Sequence, residues 1–331
     1  MQVVVGIDIG GTKCAISFAK MQEKGIVFLD KIKMKTETED FNRAVESFIK
    51  AIRTKFEEHP EWRLTSIGIS CGGPLDAEKG MILAPPNLLK WDHADIFSPL
   101  KKEFGVPVML QNDADACALA EWSMGAGRGS KNMIFLTFGT GMGAGLILNN
   151  ELYSGSSSMA GEVGHVRLAD DGPYGYGKKG SFEGFCSGGG IANLGRMKAE
   201  EALRVGKKPL FCKCEERLGD ITTKGIAEAL EAGDELAREI FNTVATYLGK
   251  GLSILIDILN PEVIVIGSIY GRQKENLEPI MNIVLEQEAL DASRRVCKIV
   301  PAKLGEMIGD YAAVSVGIKA YRDFYRSEQK D

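Results

Sequence analysis

The stretch VVVGIDIGGTKCAISF, residues 3–18, decides the fold. Residues 3–9 are rich in β-branched side chains and read as a strand. Gly10, Gly11, Thr12 and Lys13 follow. A dinucleotide-binding fold requires a helix directly after such glycines. Here the chain continues with the short apolar run 14–18, which reads as a second strand. The glycines therefore close a β-hairpin. A glycine turn tolerates positive φ and lets backbone N–H groups approach an anion, and Asp8 brings a carboxylate to the same end of the first strand. A carboxylate beside an anion-binding turn suits Mg²⁺ with a phosphate. A plain hairpin turn is the competing reading of this stretch by itself.

The layout returns at residues 132–149, NMIFLTFGTGMGAGLILN. An apolar strand leads into the turn Gly139-Thr140-Gly141, and a second strand spans 143–148. Thr137 and Thr140 add hydroxyl donors. Two such hairpins, each opening an α/β unit, point to a duplicated domain with facing phosphate turns. An NAD-dependent oxidoreductase is disfavoured, because strands follow both glycine turns.

Between the copies lie a third strand at 25–33, a helix at 41–56 and a strand at 64–70 that ends in Cys71-Gly72-Gly73-Pro74. The helix carries Phe41, Ala44, Val45, Phe48, Ile49, Ile52 and Phe56 on one face. In ILAPPNLLKW, residues 82–91, two prolines fix an extended loop that presents Asn87 and an aromatic. That loop suits a sugar or an ordinary surface turn. The segment VPVMLQNDADACALAEW, residues 106–122, then passes from a strand at 106–110 to a helix at 114–122. Asn112 and Asp113 sit at the junction, where open α/β sheets bind ligands. Asp113 can cap the helix or take a proton from a substrate hydroxyl; the flanking glycine turns favour the second role.

Further on, Glu162 and His165 stand three apart, and the glycines of 172–183 predict an irregular loop. Helices are expected at 187–202, 234–259 and 309–325, with a strand at 262–266 closed by Gly267-Ser268. Cys212 and Cys214 lack a second pair at zinc spacing and read as ordinary thiols.

The 331 residues suffice for two domains, and 44% hydrophobic with 26% charged residues is ordinary for a soluble globular protein. A net charge of −5, with no basic patch, argues against nucleic-acid binding. No apolar run is long enough to span a membrane, and the N-terminus lacks a signal-peptide layout. Seven scattered cysteines do not suggest a disulfide framework. Together these point to a reduced cytoplasmic protein.

Several stretches jointly resemble the ROK family (repressor, open reading frame, kinase) of the actin-like and hexokinase-like ATPase superfamily. They are DIGGTK at 8–13, CGGP ending at Pro74, PNLLKW at 86–91, QNDADACALAEW at 111–122, FGTGMGAG at 138–145, AGEVGH at 160–165 and NPEVIVIG at 260–267. The resemblance runs almost end to end. It implies two actin-like, ribonuclease H-like α/β domains with mixed sheets flanking a cleft. The first would cover residues 1–118 with a C-terminal helix at 309–326 packing back on it, the second 119–308. It implies a glucokinase-like transfer of phosphate from Mg²⁺–ATP to a hexose, and a homodimer. Asp113 would be the general base. Asp8, Gly10, Gly11, Thr12, Lys13, Thr137, Gly139, Thr140, Gly141 and Gly267 would hold Mg²⁺–ATP. Gly73, Asn87, Asn112, Asp113, Glu162, His165 and Glu183 would line the sugar pocket.

One departure stands out. The family pattern CxCGxxGCxE, whose cysteines join the histidine around structural zinc, is replaced by YGYGKKGSFE at 174–183. Tyr174, Tyr176 and Ser181 stand at the cysteine positions, so no zinc is expected. A milder departure is Gly267-Ser268-Ile269, where more glycine is usual. Glucose is the leading substrate by family prior, with N-acetylmannosamine, N-acetylglucosamine, fructose and allose open. The alternative is a non-catalytic sugar sensor like the family's repressors, although those carry an extra N-terminal helix-turn-helix segment that this sequence does not show.

Overall fold

The computed structural model describes residues 1–22 and 25–328. They form two compact units. The first comprises Met1–Gly129, Glu151–Ala160 and the segment from Lys303 through the last helix; the second comprises Ser130–Asn150 and Gly161–Ala302. Both are mixed α/β, as the sequence predicts.

The first unit is built on a five-stranded sheet. Its order is Gly25–Lys35, Lys13–Gln22, Gln2–Ile9, Arg63–Cys71, Val108–Asn112. The first three strands are antiparallel neighbours, and Arg63–Cys71 and Val108–Asn112 run parallel to Gln2–Ile9. Register pairs Asp8 with Ser70, Ile9 with Cys71, and Cys71 with Asn112. The carboxyl ends of three parallel strands thus bring Asp8, Cys71 and Asn112 to one edge, far apart as they are in sequence.

Alternation along Gln2–Ile9 divides the two faces. Val3, Val5, Ile7 and Ile9 enter a core with Phe18, Phe48, Ile52, Ile67 and Ile69. The covering helix, Phe41–Glu58, buries Ala44, Val45, Phe48 and Ile52, and Asp40 caps it by accepting the Arg43 N–H at 3.2 Å. Val4 lies on the opposite face with Ala19 and Val314. There the helix Ile308–Glu328 packs directly on Gln2–Ile9 and Arg63–Cys71. The approach is so close that a Cβ on Gly68 would collide with the Gly317 N–H.

Two expectations need correction here. The strand placed at 106–110 runs Val108–Asn112; Pro107 has no N–H to offer a ladder, though its carbonyl accepts from Ile67. Trp91 does not face a ligand. It is fully buried, donates Nε1–H to the Glu37 carbonyl at 3.1 Å and meets Phe41 edge-on at 5.2 Å.

In the second unit, Met133–Leu136 pairs antiparallel with Ala144–Leu148 and parallel with Val263–Ile266, which pairs parallel with Lys298–Pro301. Helices Gly188–Arg204, Glu235–Leu259 and Ile269–Glu288 are its longest. Ile269–Glu288 has no counterpart in the sequence reading. It contains Pro279 and a kink at Gln273 (φ −117°, ψ 17°), and its polar run 273–276 hides the buried spacing Tyr270, Gln273, Leu277, Met281, Val284. The segment 172–183 is not irregular. It holds a miniature hairpin, Tyr174–Gly175 against Lys178–Lys179, and begins the helix Phe182–Phe185. Among the described residues no helix is long and apolar enough to cross a membrane.

Candidate active site

In the first unit, the helix Asp113–Met124 begins at the edge defined above. Its cap is Asn112, whose Oδ1 accepts the Asp115 N–H at 2.8 Å. Asp113 is therefore the first helical residue rather than the cap. Asp113 as a residue is exposed, yet desolvation of its carboxyl by the protein around it raises the carboxyl above the usual range, opposed by the N–H groups of Ala114 and Asp113. A carboxylate so placed is suited to accept a proton.

Asp8 is shifted further, from 3.8 to about 6. Burial is the main cause; the neighbouring charges of Asp310 and Asp113 add to it and Lys31 opposes it. Asp310, in the first turn of the last helix, is almost fully buried. It accepts from Ser17 Oγ at 2.8 Å and from Lys31 Nζ at 2.5 Å. The residue before it must be small, because a Cβ on Gly309 would lie 2.5 Å from Asp8 Oδ2. Asp310 and Lys31 escaped the sequence reading; the one available signal was an aspartate amid the apolar positions of the final helix.

The turn after Asp8 is closed by Gly10 N–H donating to the Lys13 carbonyl at 3.1 Å. Thr36, also missed, clamps it: its hydroxyl donates to the Gly10 carbonyl at 2.6 Å and its N–H to the Thr12 carbonyl at 3.1 Å. Thr12 and Lys13 are exposed. Gly10, Gly11, Gly139 and Gly141 all keep negative φ, so left-handed backbone is not their reason. Space is the reason at three of them: a Cβ would lie 2.8 Å from the Lys13 carbonyl oxygen at Gly10, 2.5 Å from the Asn87 Cβ at Gly11 and 2.9 Å from Glu183 Oε2 at Gly141. Asn87 is thus drawn against the turn, while Gly73, in a cis peptide with Pro74, borders open space.

In the second unit, Thr137 closes the other hairpin. Its Oγ1 accepts the Gly143 N–H at 2.8 Å, so this hydroxyl holds the turn in shape. The Gly188 N–H donates to the Gly139 carbonyl at 2.7 Å and the Gly189 N–H to the Thr140 carbonyl at 3.3 Å, which ties the start of Gly188–Arg204 to the turn. Glu183 Oε2 accepts the Met142 N–H at 3.0 Å. Glu183 also packs beside Gly164 in the 3₁₀ turn Val163–His165, which places Glu162, His165, Glu183 and the 139–141 turn in one neighbourhood. Gly267 N–H donates to the Leu136 carbonyl at 2.9 Å at the end of its strand. Ser268 beside it holds φ 51°, ψ −106°, backbone that only glycine adopts readily.

The sequence pattern of the ROK family matches residues 4–316. The chain belongs to the ROK family. It is 32% identical over 278 residues to a glucokinase of Halalkalibacterium halodurans, covering 82% of each chain. It is 30% identical to a xylose repressor of Caldicellulosiruptor bescii, covering 84% of this chain and 70% of that one. Its fold matches a ROK glucokinase of Streptomyces griseus in complex with glucose and AMPPNP, with a TM-score of 0.71 and 28% identity over 96% of this chain and 99% of that one. The fold is thus the actin-like ATPase fold of ROK kinases.

This ROK chain does not offer zinc ligands in its 174–181 loop. Ser181 is fully buried; its hydroxyl donates to the Gly175 carbonyl at 2.9 Å and accepts the Gly184 N–H at 3.0 Å. Tyr174 and Tyr176 are exposed, and Tyr176 meets His165 edge-on with ring centroids 5.3 Å apart. Neutral hydroxyl and phenol groups are poor zinc donors beside thiolate and imidazole, so this set does not fit that metal.

Proposed function

We propose that this ROK protein transfers the terminal phosphoryl group of ATP to a hydroxyl of a hexose, with Asp113 as general base. One observation carries the reading: Asn112 performs the helix cap, which leaves the Asp113 carboxylate at the strand end for chemistry. Its raised proton affinity favours uptake of the proton that the attacking hydroxyl releases. Asn87 and Asn112 would bind sugar hydroxyls through their amides. Glu162, His165 and Glu183 would also be sugar ligands, as would Gly73. The turns at Gly10–Lys13 and Gly139–Gly141 would hold phosphate oxygens, and Gly267 would border the adenosine.

The residues around Asp8 suit a divalent cation. The charges of Asp310 and Asp113 both act on Asp8, with Lys31 opposing them, so a cation at Asp8 relieves like-charge repulsion there. Mg²⁺ bound with ATP offsets the phosphate charge during transfer. Similarity to glucokinases puts glucose first among substrates; N-acetylated hexosamines such as N-acetylmannosamine follow. The test is ATP consumption coupled to a hexose panel. Sugar-dependent turnover supports a kinase.

Similarity to the xylose repressor supports a second reading, a sugar-sensing regulator. Sugar binding without turnover for any hexose is its signature.

A further inference from the structure

Tyr176 sits where its backbone is disfavoured. Gly175 pairs with Lys178, so Tyr176 and Gly177 form a two-residue hairpin turn, with φ of 48° and 78°. Positive φ at both positions is the I′ pattern, which selects asparagine or glycine first and disfavours bulky residues. A tyrosine there makes a worse turn than asparagine, so its use lies in the side chain. That side chain is on His165: the rings meet at 82° with centroids 5.3 Å apart, the edge-to-face geometry that aromatic quadrupoles favour.

His165 needs such a contact. It is exposed, and among the described residues its imidazole makes no hydrogen bond or ion pair, while its ring packs against Tyr176. The turn bearing Tyr176 is itself fixed. Asn193 Nδ2 donates to the Tyr174 carbonyl at 3.1 Å, Arg167 Nη1 to the Lys179 carbonyl at 2.9 Å, and Ser181 Oγ to the Gly175 carbonyl at 2.9 Å. Gly175 packs so tightly on Gly184 that any Cβ would clash with its N–H. The hairpin is thereby tied to the residue next to Glu183.

We infer that Tyr176 is a positioning residue: its ring orients the His165 imidazole toward the sugar, in a loop that holds no metal-binding cysteines. The inference rests on the reading that His165 contacts the sugar. An imidazole held in one orientation loses less freedom when it bonds a hydroxyl.

The test compares Y176N, Y176F and H165A in the full chain, with glucose or the panel sugar that supports turnover. Asparagine suits the turn, so Y176N keeps a melting temperature at or above that of the wild type. Its sugar KM, or its calorimetric sugar Kd where turnover is absent, rises about three- to ten-fold, with KM for ATP unchanged. Y176F keeps the ring and behaves as wild type. The His165 Hε1 resonance moves in Y176N and stays in place in Y176F. A wild-type sugar KM in Y176N, beside a raised one in H165A, overturns the positioning role while leaving His165 as a sugar contact. Wild-type sugar affinity in H165A removes the sugar contact itself, and the inference with it.

Discussion

Asn112 Oδ1, and not the carboxylate of Asp113, accepts the Asp115 N–H. Because Asn112 closes the helix end, the Asp113 carboxylate is not needed for the cap and remains available to a ligand. Stability and activity should separate accordingly. N112A should cost about 1 kcal/mol, the usual value of a lost cap, in urea or thermal unfolding. D113N should leave stability unchanged or raised, because it removes a charge that the fold disfavours. An equal loss of stability in both variants would contradict the division.

Asp8 makes stability depend on pH. Its carboxyl is raised from 3.8 to about 6, so the folded chain holds a proton that the unfolded chain has lost. The stabilisation from this group is full below about pH 4 and is lost as pH rises through about 6, amounting to about 3 kcal/mol at most. Without Mg²⁺, D8N should therefore gain stability relative to the wild type between pH 4 and 7. A difference that stays flat across this range would dismiss the shift.

Asp310 contributes to that shift by repulsion while holding Lys31 and Ser17. D310N removes the repelling charge and frees Lys31, so the Asp8 titration should move down. It should also cost about 1–3 kcal/mol through the weakened buried bonds. NMR titration of the Asp8 carboxyl carbon reads the first effect, and denaturant unfolding the second.

Ser268 stores strain at φ 51°, ψ −106°. S268G should raise stability by about 1 kcal/mol, within the 1–3 kcal/mol typical of such backbone. Its hydroxyl accepts from exposed Arg272 at 3.2 Å, a bond whose loss costs little at a surface. A melting temperature that falls in S268G would show that the hydroxyl matters more than the strain.

Local pattern made much of the fold legible. The apolar-glycine-apolar runs at 3–18 and 132–149 are hairpins because a second short apolar run, which suits a strand, follows each glycine turn. The face of Phe41–Glu58 was readable from its period. Elements set by tertiary contact were not. The kinked helix Ile269–Glu288 is helical in spite of Pro279 and a polar stretch, held by packing on Glu235–Leu259. Trp91 resembles a ligand platform in sequence and is core in fact, because Phe41 and the Glu37 carbonyl claim its ring. At the site, sequence named the residue types but not their division of labour. The cap at Asn112, the clamp of Thr36 on Gly10, and the Lys31–Asp310 bond across 279 positions are set by three-dimensional proximity.

The most direct measurement is sugar-dependent ATP consumption by the wild type and D113N, with sugar affinity measured on both by calorimetry. A general base predicts a loss of about 10²–10⁴-fold in kcat with sugar affinity within a few-fold of the wild type. Turnover in D113N equal to the wild type would contradict the assignment of Asp113, and with it the central claim about how this ROK protein works.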